Sequence, residues 1–202
     1  MIVGVIDYGM GNLRSVQSAL ELFQVRVVVG DNIDAIAACD RLILPGVGSF
    51  YRAMENIRER GLDKAIKTLV ADGKPLLGIC LGMQLLAAHG TEDRQTEGLG
   101  LIDAVVEPFP VTDLPVPHMG FNEVRFTGSE GNLSEGLGDR SDFYFVHSYR
   151  MVCRSNEDVA GWCDYGAPFA ALVRRGHVVG AQFHPEKSQS NGLKLMRQFL
   201  KN

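Results

Sequence analysis

The chain has 202 residues, 46% hydrophobic and 22% charged, with a net charge of −4. That length and apolar content suffice for one packed domain, residues 1–202, and are short for two. Mild acidity without a dense basic cluster gives no electrostatic case for nucleic acid or an anionic membrane surface, and no apolar run is long enough to span a bilayer.

The opening Met1-Ile2-Val3-Gly4-Val5-Ile6-Asp7 lacks a basic leader and meets an acid early, so it reads as a strand and not a secretory signal. The expected location is the cytoplasm. Val16, Ala19, Leu20 and Phe23 then recur at helical spacing, Val25 to Val29 is β-branched and strand-like, and Arg41-Leu42-Ile43-Leu44 forms a third strand ending at Pro45. Ser49 is placed to cap a helix running through Arg60, with Phe50, Met54 and Ile57 on one face. A helix from Leu62 to Asp72 ends at Gly73 and delivers the chain to the apolar strand Leu76-Leu77-Gly78-Ile79. Apolar strands separated by amphipathic helices imply an α/β fold, with a mostly parallel sheet flanked by helices and functional groups at the carboxyl ends of its strands.

The second half is richer in short, antiparallel-type strands: Leu101 to Val106, Glu123 to Phe126, Phe143 to Val146, Tyr149 to Cys153, Val159 to Cys163, Ala170 to Arg174 and Val178 to Phe183. Arg175-Gly176-His177 reads as a hairpin turn, and Pro108 to Pro117 as an irregular loop. A closing helix from about Gly192 buries Leu195, Met196, Phe199 and Leu200.

Gly78-Ile79-Cys80-Leu81-Gly82 matches a nucleophile elbow, a sharp strand-to-helix turn that lifts a reactive side chain above a sheet. The first turn of a helix also favours the thiolate. Cys39, Cys153 and Cys163 form no C-x-x-C pair with it or each other, which argues against a zinc site, and they read as packed thiols. No metal or cofactor is expected.

Cysteine chemistry on an amide needs a base and a group to orient it. Among the five histidines, His89 lies near a helix end, and His118 and His147 sit in loops where either structure or chemistry is open. In Gln182-Phe183-His184-Pro185-Glu186, extended chain would put His184 and Glu186 on one face, so that the carboxylate can hold the imidazole tautomer. Gly9-x-Gly11 lacks the third glycine of a dinucleotide loop, and Asn12 reads as a helix cap.

Taken together, Gly78-Ile79-Cys80-Leu81-Gly82-Met83-Gln84 and Phe183-His184-Pro185-Glu186 resemble the triad (class I) glutamine amidotransferases. Their domain has a flavodoxin-like fold and strips ammonia from glutamine. The segments Asp7 to Asn12, Pro45 to Phe50, Pro117 to Asn122 and Phe143 to Tyr149, with Lys187-Ser188, extend the likeness to the glutaminase subunits of imidazole glycerol phosphate synthases. The resemblance implies that Cys80 attacks glutamine to give a thioester, His184 moves the proton and Glu186 orients His184. It further implies an oxyanion hole from the backbone N–H groups of Leu81 and Val47, and substrate contacts at Gly48, Gln84, Ser148 and Tyr149. Asn12, Met119, Phe121, Asn122 and Lys187 map to the face that docks a (β/α)8-barrel cyclase/synthase, which uses the ammonia to form imidazole glycerol phosphate and AICAR in histidine biosynthesis. Phe121 replaces the tryptophan usual in that segment, keeping an apolar contact while losing an indole N–H. The alternatives are a glutaminase serving another acceptor synthase, as in glycan or nucleotide-sugar biosynthesis, a cysteine hydrolase of other substrates, and a non-catalytic partner module.

Overall fold

The computed structural model describes residues 1–110, 113–129 and 131–201. In chain order its elements begin with β1 (Ile2–Ile6), α1 (Leu13–Glu21), β2 (Arg26–Gly30), α2 (Ile33–Ala37), β3 (Arg41–Gly46), α3 (Phe50–Glu59), α4 (Leu62–Ala71), β4 (Leu76–Cys80) and α5 (Leu81–Leu85). The strands β5 (His89–Gly90), β6 (Thr96–Glu97), β7 (Ala104–Pro108), β8 (His118–Phe126), β9 (Arg140–His147) and β10 (Tyr149–Cys153) follow. The chain closes through β11 (Val159–Asp164), β12 (Pro168–Arg175), β13 (Val178–Ala181) and α6 (Gln189–Lys201).

One sheet of nine strands runs in the order β2-β1-β3-β4-β13-β12-β11-β8-β9. From β2 to β13 neighbouring strands are parallel, and from β13 to β9 they are antiparallel. The strand-rich second half therefore extends the same sheet through β13. A smaller sheet, β10-β7-β5-β6, packs beside it.

Both faces of the sheet are covered at its parallel centre, and the alternation along β3 shows why. Leu42 and Leu44 of β3 face the layer of α3 and α4, with Phe50, Met54, Ile57 and Ile66. Ile43 between them faces the layer of α1 and α6, with Val16, Leu20, Leu195 and Phe199. Successive side chains of a strand point to opposite faces, so a strand covered on both sides needs an unbroken apolar run.

Several elements differ from the expectations. α6 begins before Gly192, β8 and β9 are longer than their apolar segments, and α2 was not anticipated. β7 starts at Ala104 instead of Leu101 and runs to Pro108; residues 109–110 and 113–117 are irregular as expected, while Val111 and Thr112 lie outside the described residues. His118 and His147 are strand residues paired directly across the β8–β9 ladder, and not in loops. His89 lies in β5, because α5 stops at Leu85. The hairpin at Arg175 to His177 does join β12 to β13, and His177 Nε2 is 2.8 Å from the Val70 carbonyl oxygen.

Candidate active site

β4 ends in the elbow. Cys80 has φ 54°, the left-handed region that a non-glycine residue rarely occupies. Two glycines permit it by close approach of backbone: a Cβ on Gly78 would stand 2.6 Å from the Gly82 carbonyl oxygen, and a Cβ on Gly82 would overlap the carbonyl of Leu44 in β3. The expected helix after the elbow has only five residues, little more than one turn. Few aligned peptides remain to polarise the sulfur, so neighbouring side chains matter more than a helix dipole.

Strand pairing assembles the rest. Gly46 is the register partner of Cys80, which sets the Pro45 to Gly48 loop beside the sulfur. On the other side Ala181 pairs with Ile79, so the residues after β13 arrive at the same strand ends. His184 and Glu186 meet with Nδ1 and Oε1 2.8 Å apart. The segment is not extended as expected: Pro185–Lys187 form a 3-10 turn. That turn folds the carboxylate back onto the ring.

His184 is 2% exposed. Burial alone would lower its pKa, but interactions with the Cys80 sulfur and the Glu186 carboxylate outweigh it and hold the ring up to about 9. Among the described residues its buried Nε2 has no conventional hydrogen-bond partner, which leaves the sulfur as the group it serves. Cys80 Sγ is also 3.9 Å from the Val146 carbonyl oxygen and 3.8 Å from Nε2 of Gln182.

A cavity of about 460 Å³ opens over the sulfur. Its lining includes Val47, Gly48, Cys80, Leu81, Gln84, Ser148 and Tyr149, so the expected oxyanion and substrate residues come together in one place. Gln84, which without the resemblance reads as a solvated helix residue, is 5% exposed. Its Nε2 donates to the Tyr149 carbonyl and to Oε1 of Gln182, both at 3.0 Å.

Glu92 also lines this cavity and had no sequence signal. Its Oε2 accepts the Phe50 backbone N–H at 2.7 Å, so the carboxylate caps α3 where Ser49 was expected to. Ser49 instead donates its hydroxyl to Asp93 Oδ2 at 3.0 Å. Burial raises the pKa of Glu92 against the opposing effect of the Phe50 N–H.

His147 and His118 form a second buried pair, Nε2 to Nδ1 at 3.1 Å. His147 Nδ1 is 2.8 Å from the Tyr149 carbonyl, which can only accept, so Nδ1 carries the proton and Nε2 accepts from His118. Burial pulls His118 down to about 4, and burial, helped by His118 and His184, pulls His147 down to about 3. Burial thus favours the neutral form of both rings.

Of the expected docking residues, Asn12, Phe121 and Lys187 flank the histidine turn. Met119 and Phe121 are 62% and 52% exposed on one face of β8. Phe121 stacks edge-on with Tyr144 at 5.6 Å, and Lys187 Nζ lies 5.9 Å from the same ring, so Tyr144 joins the two. Asn12 caps α1 and borders the groove next to Glu186. Asn122 projects from the opposite face of β8, donating to the Asp164 carbonyl at 3.1 Å.

An elbow cysteine beside a buried His–Glu pair can perform nucleophilic acyl transfer at an amide. Residues 4–202 match the family model for glutamine amidotransferase class-I. The chain belongs to the class I glutamine amidotransferase family. A protein of Rhodopirellula baltica named imidazole glycerol phosphate synthase subunit HisH is 47% identical over 199 residues, 98% of this chain and 96% of that one. The protein of the same name from Moorella thermoacetica is 47% identical over 197 residues, 98% of this chain and 93% of the relative. Among solved structures, PurLQS from Thermotoga maritima superposes with a TM-score of 0.76 at 19% identity over 99% of this chain and 97% of that one, a likeness of fold. No helix of the described residues is long and apolar enough to cross a membrane.

Proposed function

We propose that residues 1–202 act as one glutaminase domain, the ammonia-producing subunit of an imidazole glycerol phosphate synthase in histidine biosynthesis. The observation that carries this reading is the convergence of Cys80, His184 and Glu186 at the ends of the paired strands β4 and β13, in a chain whose relatives over nearly full length are named as that subunit.

In this reading the Cys80 sulfur attacks the side-chain amide carbon of glutamine. Negative charge develops on the amide oxygen and is received by the backbone N–H groups of Leu81 and Val47; each such donor is worth about 3 to 4 kcal/mol in the barrier. His184, held protonated by its neighbours, gives its proton to the departing ammonia. The thioester remains. The neutral His184 then takes a proton from water as that water attacks, glutamate leaves, and Glu186 keeps the ring oriented throughout. Gly48, Gln84, Ser148 and Tyr149 shape the pocket for glutamine. The Glu92 carboxylate in the same lining suits the α-ammonium of an amino acid.

The partner is a (β/α)8-barrel cyclase/synthase seated on Asn12, Met119, Phe121 and Lys187, with Tyr144 completing the patch; Asn122, on the other face of β8, lies outside it. The exposed apolar pair Met119 and Phe121 gives it a desolvating anchor, and Lys187 a charge for an acidic group. A reactive thiol with three packed free thiols suits the reducing cytoplasm.

The deciding experiment is the rate of glutamine hydrolysis by this chain alone, with the barrel, and with the barrel and its phosphoribulosyl ligand. A low rate alone that rises at each addition is expected. Equal rates in all three would overturn the coupled assembly, and capture of a different acceptor synthase would redirect the subunit assignment.

A further inference from the structure

Gln182 lies just beyond the end of β13, two residues before His184, and is 0% exposed. Its side chain reaches the Cys80 sulfur, with Nε2 3.8 Å from Sγ. Which end of the amide faces the sulfur is fixed by a chain of bonds that starts at a group of unambiguous character. The Tyr149 carbonyl can only accept, so Gln84 must turn Nε2 toward it. The same Nε2 lies 3.0 Å from Gln182, which must therefore offer Oε1 there. Nε2 of Gln182 is left facing the sulfur.

We propose that Gln182 is a further residue of the reaction site, an N–H donor that holds the Cys80 sulfur and stabilises it when it carries negative charge, with Gln84 and the Tyr149 carbonyl as the brace that fixes its direction. The proposal rests on the reading of Cys80 as the nucleophile. A neutral thiol can direct its proton to the Val146 carbonyl at 3.9 Å. A thiolate cannot, and that carbonyl then opposes it; a buried anion needs donors on its other sides. Gln182 supplies one and His184 the other. Tyr8 also interacts electrostatically with Cys80, Glu186 stands behind His184, and His147, Glu92 and Tyr149 line the same cavity, so among the described residues these are the titratable groups facing the sulfur and its pocket. The brace also redefines Gln84. Its N–H groups are committed to protein partners, which leaves Oε1 for a ligand in the cavity.

The test is the pH dependence of Cys80 alkylation by iodoacetamide in the intact chain, followed by mass spectrometry of the Cys80 peptide. Gln182→Met keeps the bulk and removes the donor; the midpoint for alkylation should rise by about one pH unit and the rate near neutrality fall about tenfold. Gln182→Glu keeps an acceptor for Gln84 but sets a carboxylate against the sulfur, and should shift the midpoint further. Gln84→Met should shift it in the same direction by less. A Gln182→Met protein that melts like the unaltered one and alkylates with an unchanged profile overturns the proposal, as does a shift confined to Gln182→Glu, which would show charge acting without a donor. Should the variants not fold, the side-chain amide resonances of Gln182 in the unaltered protein decide: they should follow the midpoint of the Cys80 thiol, and a flat response overturns the assignment. Alkylation needs neither glutamine nor a partner, so its outcome is separate from that of the glutaminase assay.

Discussion

His184 Nδ1 and Glu186 Oε1 lie 2.8 Å apart, with side chains 2% and 1% exposed. The short 3-10 turn at Pro185–Lys187 makes this contact, and burial shields it from competing water. The hydrogen bond fixes the proton on Nδ1 and leaves Nε2 for the sulfur. Glu186→Gln should retain the contour while removing the charge that stabilises the imidazolium. Glutamine turnover in the assembled enzyme should drop by on the order of 100-fold or more, while synthesis from added ammonia continues.

In the proposed glutaminase, Cys80→Ser isolates the first step. It should abolish glutamine hydrolysis and glutamine-dependent synthesis, and leave ammonia-driven synthesis by the partner intact. Loss of both activities together would contradict the assignment of the cysteine to ammonia release alone.

The histidines divide the pH dependence of stability into two limbs. His184 is raised from 6.5 to about 9; its contribution is fully present below pH 6.5 and is lost as pH rises through about 9. His118 and His147 are lowered to about 4 and about 3. Their neutral forms favour the fold above pH 6.5, and that contribution is lost as pH falls toward those values. The melting temperature should therefore be highest near neutrality. Replacing His184 by Gln should flatten the alkaline limb, and replacing both members of the other pair by Phe should flatten the acid limb.

Glu92 joins the cavity to the start of α3 through its 2.7 Å bond from the Phe50 N–H. Glu92→Ala should cost about 1 kcal/mol in denaturant unfolding, the usual loss for a helix cap. In the proposed glutaminase it should also raise KM for glutamine more than it lowers kcat, since its carboxylate lines the pocket as a binding group.

At Gly82 an added Cβ would overlap the Leu44 carbonyl, which is backbone of the neighbouring strand and cannot rotate away. Gly82→Ala should destabilise by about 1 to 3 kcal/mol, the range for overpacking. Stability to urea and recovery of Cys80 reactivity after refolding should fall together.

The parallel half of the sheet and the elbow at Cys80 were legible because their signals are local. β1, β3 and β4 are unbroken apolar runs, and the elbow glycines sit within two residues of Cys80. The histidine pair was harder. His118 opens β8 and His147 closes β9, so at the ends of their strands they resembled loop residues, and only the ladder that sets them opposite each other explains why burial there is tolerable. Glu92 gave no signal because it caps a helix that begins 42 residues earlier. Tyr144 and Gln182 likewise gain meaning only from neighbours distant in sequence. α2 and the two-residue strands β5 and β6 are too short for periodicity to show.

The adjacency of β4 and β13 also bears on when the protein becomes reactive. A chain made from its amino end produces the thiol first, and the imidazole that completes it follows about a hundred residues later. Between them lie β12 and the antiparallel strands that hold β13 in register. In the proposed glutaminase, amide cleavage would thereby be withheld from the nascent chain, and its onset would mark the moment at which the last third of the polypeptide has docked.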